Sequence, residues 1–193
     1  SALLGVRGEL LAAALEASAQ IVDGRPPLLP AFERYTGVVW SQLDPASLSG
    51  AQRSRMLVPS GLYGLTNAND PIADYRLKLS ASLPGIGRLS SFWRESVSRA
   101  VMLVAKGQTV VDMLPGEHLA AVDLDAVSRK AELVRVGFVD RAGSRSVGHA
   151  AKAAKGAAAR AVLERGPAAL ENFRFDGWQG ERCADGFQVV APA

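Results

Sequence analysis

A single cysteine, Cys183, in 193 residues forbids an internal disulfide and excludes a cysteine-based zinc site. The two histidines, His118 and His149, are too few for a histidine-built metal centre. There is neither a Walker-type loop nor a Gly-x-Gly-x-x-Gly turn, so the expected cofactor is none. Alanine swells the hydrophobic fraction to 48%, yet no window approaches the roughly 20 uninterrupted apolar residues of a spanning helix. The chain does not open on a basic stretch followed by an apolar run, so secretion is not indicated and a reducing cytoplasm is the default. Internal repeats, heptads and low-complexity tails are absent as well.

What is present reads as a mixed α/β protein. The length suits one compact domain over residues 1–193, with a central mixed sheet flanked by helices. Helical spacing runs from Val6 to Val22, ended by Asp23-Gly24 and the prolines at 26, 27 and 30. Ser47–Arg55 reads as a short helix, and Arg55–Ser60 as a strand. Pro84-Gly-Ile-Gly87 is a turn, after which Ser90 or Ser91 caps a helix to about Val104 with Trp93, Val97, Val101 and Val104 inward. Gln108–Leu114 is expected as an interior strand. Val134–Val139 and Ser144–Val147 form a hairpin across Arg141-Ala-Gly143. An Ala-rich helix then spans His149–Arg165, and Phe173-Arg-Phe and Phe187–Val190 close the sheet. The tryptophans at 40, 93 and 178 are expected in the core or at its rim.

Two groups of polar residues carry candidate chemistry. Ser60-Gly-Leu-Tyr-Gly64 breaks a strand sharply, and Tyr75-Arg76 follows with a phenol beside a permanently charged guanidinium. A strand end opening into a polar, glycine-rich loop is where α/β proteins build sites, although Arg76 would equally tie down its own loop. Asp112 ends a hydrophobic run, and Pro115-Gly116 turns the chain to present Glu117 and His118. With Tyr75 or Arg76 these suit general acid–base work. The plain alternative is that Asp112 caps a turn and Glu117 begins a helix.

Charge is unevenly spread. The stretch 145–165 holds Arg145, Lys152, Lys155, Arg160 and Arg165 against the one acid Glu164, a net of four against +3 for the whole chain. Such a field favours phosphates or acidic partners, unless it is an ordinary solvated face. At about 100° per residue, His149, Lys152 and Arg160 share one arc of roughly 80° with Gly156 in its middle. Ala151, Ala154, Ala158 and Ala161 lie behind it. A mid-helix glycine costs about 1 kcal/mol against alanine, so close approach of a phosphate backbone or of another helix is expected there.

In order along the chain stand Tyr35-Thr36-Gly37, Ser60–Gly64, Asp70–Leu77, Phe92-Trp93, Val110-Val111-Asp112, Glu117, and His149-Ala-Ala-Lys152-Ala-Ala-Lys155-Gly156. In these signposts, from about residue 30 to 180, the chain resembles the YaaA family of peroxide-stress proteins, in an actinobacterial-looking version. It departs from the family's pattern in places. The sequence starts at Ser1-Ala-Leu-Leu, inside the helical region that follows the family's opening strand and loop, and the family's Arg-Pro after the Gly64 loop is Asn67-Ala68. Its Ser and Tyr near Glu117 are Pro115 and His118, and its Arg-Gly is Lys155-Gly156.

The resemblance implies a cytoplasmic factor of the peroxide stress response that binds double-stranded DNA, without sequence preference, in a basic cleft. On that reading Arg145, His149, Lys152, Lys155 and Arg160 contact the nucleic acid, with Lys152 and Arg160 on an accessible face. The alternative is an enzyme of specialised metabolism acting on an anionic small molecule. Its pocket would be lined by Tyr75, Arg76, Glu117, His118 and Lys152, with Asp112 in the same polar set. No membrane partner is expected.

Overall fold

The computed structural model describes residues 9–24, 26–146 and 148–192. In chain order its elements begin with α1 (Glu9–Val22), β1 (Leu28–Pro30), α2 (Ala31–Arg34), α3 (Val38–Leu43) and α4 (Gly50–Arg53). Next come β2 (Leu57–Ser60), β3 (Gly64–Asn67), β4 (Pro71–Ala73), β5 (Ser82–Leu83), β6 (Gly87–Arg88) and α5 (Leu89–Val104). Then follow β7 (Thr109–Asp112), α6 (Gly116–Leu119), α7 (Leu124–Ser128), β8 (Glu132–Val139) and α8 (His149–Arg165). Strands β9 (Arg174–Phe175), β10 (Trp178–Cys183) and β11 (Gly186–Val190) complete the chain. The class is mixed α/β, as the sequence implies. Val6 to Gly8, the expected start of the first helix, lie outside the described residues, as does Val147 of the expected hairpin.

These elements divide into two compact units, each assembled from separate stretches. The first takes the chain up to Arg34, then Met56–Val104 and Leu114–Val127. It contains three small antiparallel pairings, β1 with β4, β2 with β3, and β5 with β6. The β5–β6 hairpin turns over Pro84-Gly85-Ile86, as read from the sequence. Helix α5 begins at Leu89, so Ser90 and Ser91 lie inside its first turn and do not cap it. The N–H groups of Leu89 and Ser90 are already taken by the carbonyls of Ala81 and Leu79. Val97 and Val101 are buried, but Val104 is 55% exposed, because the helix ends there and its last turn runs past the buried stripe.

The second unit comprises Tyr35–Arg55, Ala105–Met113 and the chain from Ser128 onward. Its sheet has the order β7-β8-β11-β10-β9. Strands β7 and β11 flank β8 in parallel, with Asp112 beside Arg135 and Val139 beside Val190. Strands β10 and β9 add on in antiparallel fashion. β7 is therefore an edge strand rather than the expected interior one. Its valines are only half-buried, since one partner strand and one covered face satisfy so short a segment. Among the described residues the expected hairpin after β8 shrinks to a single bridge between Val139 and Arg145, since α8 begins at His149 and leaves few residues after the turn to pair. Strand β10, Trp-Gln-Gly-Glu-Arg-Cys, was not expected. Its polar residues face out while Trp178 and Gly180 are buried.

Helix α8 lies on this sheet as expected. Ala151, Ala154, Ala158 and Ala161 are buried in one cluster with Val136, Phe138, Phe187 and Val189. Alanine suits the place twice over: it is the best helix former, and its small side chain lets the helix axis come close. Gly156 faces α3. A Cβ built there would stand 2.3 Å from the Val39 carbonyl oxygen and 2.7 Å from Gln42 Cβ. The mid-helix glycine is thus explained by another helix. Gly156→Ala should lower stability by roughly 1–3 kcal/mol through overpacking, although alanine alone would favour the helix by about 1 kcal/mol. Gly50, at the first turn of α4, has open space around it, so Gly50→Ala should be neutral or mildly stabilising. Urea midpoints of both variants test this; a stabilised Gly156→Ala protein would refute the close contact.

Candidate functional site

In the first unit, the Ser60–Gly64 turn forms a hydrogen-bonded knot. Ser60 is 1% exposed, and its Oγ accepts the N–H groups of Leu62 and Tyr63 at 3.2 and 3.0 Å. The same oxygen lies 2.7 Å from the Tyr75 hydroxyl. Tyr63 accepts the Ala73 N–H at 3.0 Å and meets the Tyr75 ring edge-on, with centroids 5.7 Å apart. Trp93 Nε1 donates to the Gly61 carbonyl at 3.0 Å. Gly64 sits at φ +74°, where a Cβ would strike the Trp93 ring at 2.7 Å. The loop therefore joins two strands of a hairpin rather than a strand to a helix, and its polar atoms hold the hairpin to Tyr75. Arg76 next door is exposed.

Glu117 and His118 fall in the short helix α6 of the same unit. The Glu117 carboxylate accepts a hydrogen bond from Ser80 Oγ at 3.1 Å. His118 Nδ1 is 4.0 Å from the other carboxylate oxygen, and both side chains keep some exposure. No local motif marks Arg94, which crosses from α5 to donate to the Ala120 and Val122 carbonyls at 3.2 and 2.9 Å. An open groove of about 510 Å³ lies beside it, lined by Arg94, Glu95, Arg99, Met102 and Asp123 among others.

The second unit holds Asp112 and all five residues of the expected cationic set. Arg145, His149 and Lys152 are exposed, at or just before the first turn of α8. Arg160 is only partly exposed and is engaged. Its guanidinium donates to the Leu43 carbonyl at 3.0 Å, the Asp44 carbonyl at 3.2 Å and Ser47 Oγ at 2.8 Å, and pairs with Glu164 at 2.9 Å. The two carbonyls lie at the end of α3, where the helix dipole is negative. Arg55 similarly donates to the Leu163 carbonyl, and Arg53 to the carbonyls of Pro45, Ala46 and Leu48. The arc drawn on the helical wheel therefore splits. Its amino-terminal part faces solvent and its later part, Gly156 and Arg160, faces α3 and its carboxyl end.

Lys155 differs from its neighbours. Its Nζ donates to the Met113 carbonyl at 3.0 Å and sits 5.1 Å from the centre of the Phe138 ring. Burial, and then the Arg145 charge, pull its amine below the ordinary lysine value of 10.5, while Asp112 pulls it back. The Phe138 face also favours the ammonium form, yet burial outweighs both. A signal for this was present in the sequence: at about 100° per residue, Lys155 falls beside Ala151 at the margin of the alanine face, away from Lys152. Between the lowered folded value and 10.5, the unfolded chain binds the extra proton. Stability should therefore rise with pH through that window. Lys155→Met should flatten the rise, as read by thermal midpoints across alkaline pH; an identical slope in both proteins would remove the basis for the shift.

No helix among the described residues is long and apolar enough to cross a membrane, and no group of three metal-binding side chains occurs among them. The model of the peroxide stress protein YaaA family matches residues 1–182. A UPF0246 protein of Streptomyces coelicolor is 35% identical over 144 residues, covering 72% of this chain and 55% of the relative. One from Ruegeria is 35% identical over 148 residues, covering 68% and 57%. One from Corynebacterium glutamicum is 36% identical over 143 residues, covering 70% and 55%. The chain thus spans little more than half the length of the curated relatives it matches. The ordered signposts from Tyr35 to Gly156 lie inside a family match that takes in nearly every residue, and the chain belongs to the YaaA family of peroxide stress proteins.

Proposed function

We propose that this protein acts in the peroxide stress response by binding the phosphate backbone of duplex DNA, without sequence preference, at the amino end of α8. One observation carries the reading: Arg145, His149 and Lys152 are exposed together there, while Arg160 on the same helix is taken up by α3. Exposed cations release counterions when they meet phosphates, and the helix's first N–H groups add a favourable dipole. Arg160 is excluded from the contact surface, since turning it outward would strip three acceptors at the α3 terminus.

A second reading, an enzyme for an anionic small molecule, draws on the first unit. An acid beside an imidazole can relay a proton, and Glu117 and His118 form such a pair within 4.0 Å. Arg76 is exposed beside Tyr75 and free to clamp a carboxylate or phosphate group.

The two readings separate in a titration. Arg145→Gln combined with Lys152→Gln should weaken binding of unrelated duplexes equally and lower the salt slope by about 2. Fluorescence anisotropy over a salt series measures both effects. Unaltered affinity and slope in the double variant would exclude this end of α8 as the DNA contact.

A further inference from the structure

The carboxyl edge of the parallel strands in the second unit gathers groups that phosphate binding does not require. β7 ends at Asp112 and β8 at Val139, whose bridge partner is Arg145. Helix α8, packed across these strands, sends the Lys155 amine to the Met113 carbonyl, one residue beyond the end of β7. Ligands of α/β sheets collect at this edge because the strand ends leave polar backbone groups and side chains converging there.

Lys155 is not a solvated charge of the kind that Lys152 is. Its amine has Phe138 on one side and the Met113 carbonyl as a hydrogen-bond partner, with Asp112 preceding Met113 in the chain and Arg145 bridged to Val139 next to Phe138. We propose that Lys155 is a reactive amine that forms an imine with a small anionic carbonyl compound, such as an aldehyde or 2-oxo carboxylate. This goes beyond DNA binding and does not depend on it.

In the step itself, the lone pair of Lys155 Nζ forms a bond to the carbonyl carbon and gives a carbinolamine. The carbonyl oxygen then leaves as water with both of the nitrogen's hydrogens, and no oxidant or reductant is consumed. Attack requires the unprotonated amine, which is the form that burial and Arg145 favour. Arg145, and Lys152 one turn earlier on the helix, supply positive charge for the ligand's carboxylate. Asp112, next to the Met113 whose carbonyl the amine meets, is suited to moving a proton during loss of the hydroxyl.

Glyoxylate with cyanoborohydride tests this on the intact chain, since reduction turns each imine into a stable adduct that peptide mass spectrometry locates. The chain has five lysines, and Lys78, Lys106, Lys130 and Lys152 are exposed, providing internal controls. Near neutral pH a larger fraction of Lys155 than of these lysines is unprotonated, so Lys155 should be labelled several-fold faster. Its labelling rate should also level off at a lower pH than theirs. Removing the cation with Arg145→Gln should reduce the preference for glyoxylate over an uncharged aldehyde. Labelling of Lys155 no faster than that of the exposed lysines would overturn the proposal, whatever the outcome of a DNA titration. Because wild-type protein supplies this comparison, the result stands even if Lys155→Arg fails to fold.

Discussion

The second unit depends on how closely α8 can approach what lies beside it. A helix with leucines at 151, 154 and 158 would stand off the sheet by a side chain's length. Alanines let it settle onto Phe138, Phe187 and Val189. On the side toward α3 the approach is closer still, with Gly156 against the Val39 carbonyl and the Leu43 backbone. That contact leaves the end of α3 within reach of Arg160, which donates to the Leu43 and Asp44 carbonyls there. Local propensity, packing and capping therefore agree along one helix, the consistency expected where a sequence specifies one structure.

Much of this was legible beforehand, for identifiable reasons. Helix α8 was read to the residue because an alanine run between a hairpin and Gly166-Pro167 has few alternatives. The Ser60 turn was legible as a break, but its partners were not. Nothing local in Ser60-Gly-Leu-Tyr-Gly64 says that its hydroxyl meets a tyrosine fifteen residues on. β7 was placed in the sheet interior because Val110-Val111 look like buried strand. Apolar content reports burial, however, and not the number of strand neighbours. β10 was missed because its alternation is carried by Trp178 and Gly180 among polar residues. The glycine is there to admit the Leu170 carbonyl, which a Cβ would meet at 1.9 Å.

The cations of the 145–165 stretch show why a charge count is a poor map of a binding surface. Their sum is fixed by composition, but their availability is fixed by what each guanidinium or amine already touches. Arg160 is committed to the Leu43 and Asp44 carbonyls, to Ser47 Oγ and to Glu164, so withdrawing it would break several hydrogen bonds at once. Arg145 and Lys152 face solvent, where exchanging water for phosphate costs little. The wheel placed Arg160 with Lys152 because it records angle and not height. Eight residues separate them along the axis, about 12 Å, which is enough for one to reach α3 and the other to miss it.

Position 155 follows the same logic in the opposite direction. A cation held between an aromatic ring and a strand end must either keep its charge by filling every donor or relieve the cost of burial by shedding a proton. Arginine has only the first course, since its guanidinium stays protonated and carries five N–H groups that need acceptors. Lysine has the second open to it, since burial lowers its amine from the ordinary value and the hydrogen bond to the Met113 carbonyl needs only one of its N–H groups. A lysine at this point on α8 is thus compatible with the packing of the alanine face, where an arginine would demand acceptors that a sheet surface of Phe138 and Val136 does not offer. The apolar packing that seats the helix is also what distinguishes this amine from the four exposed lysines.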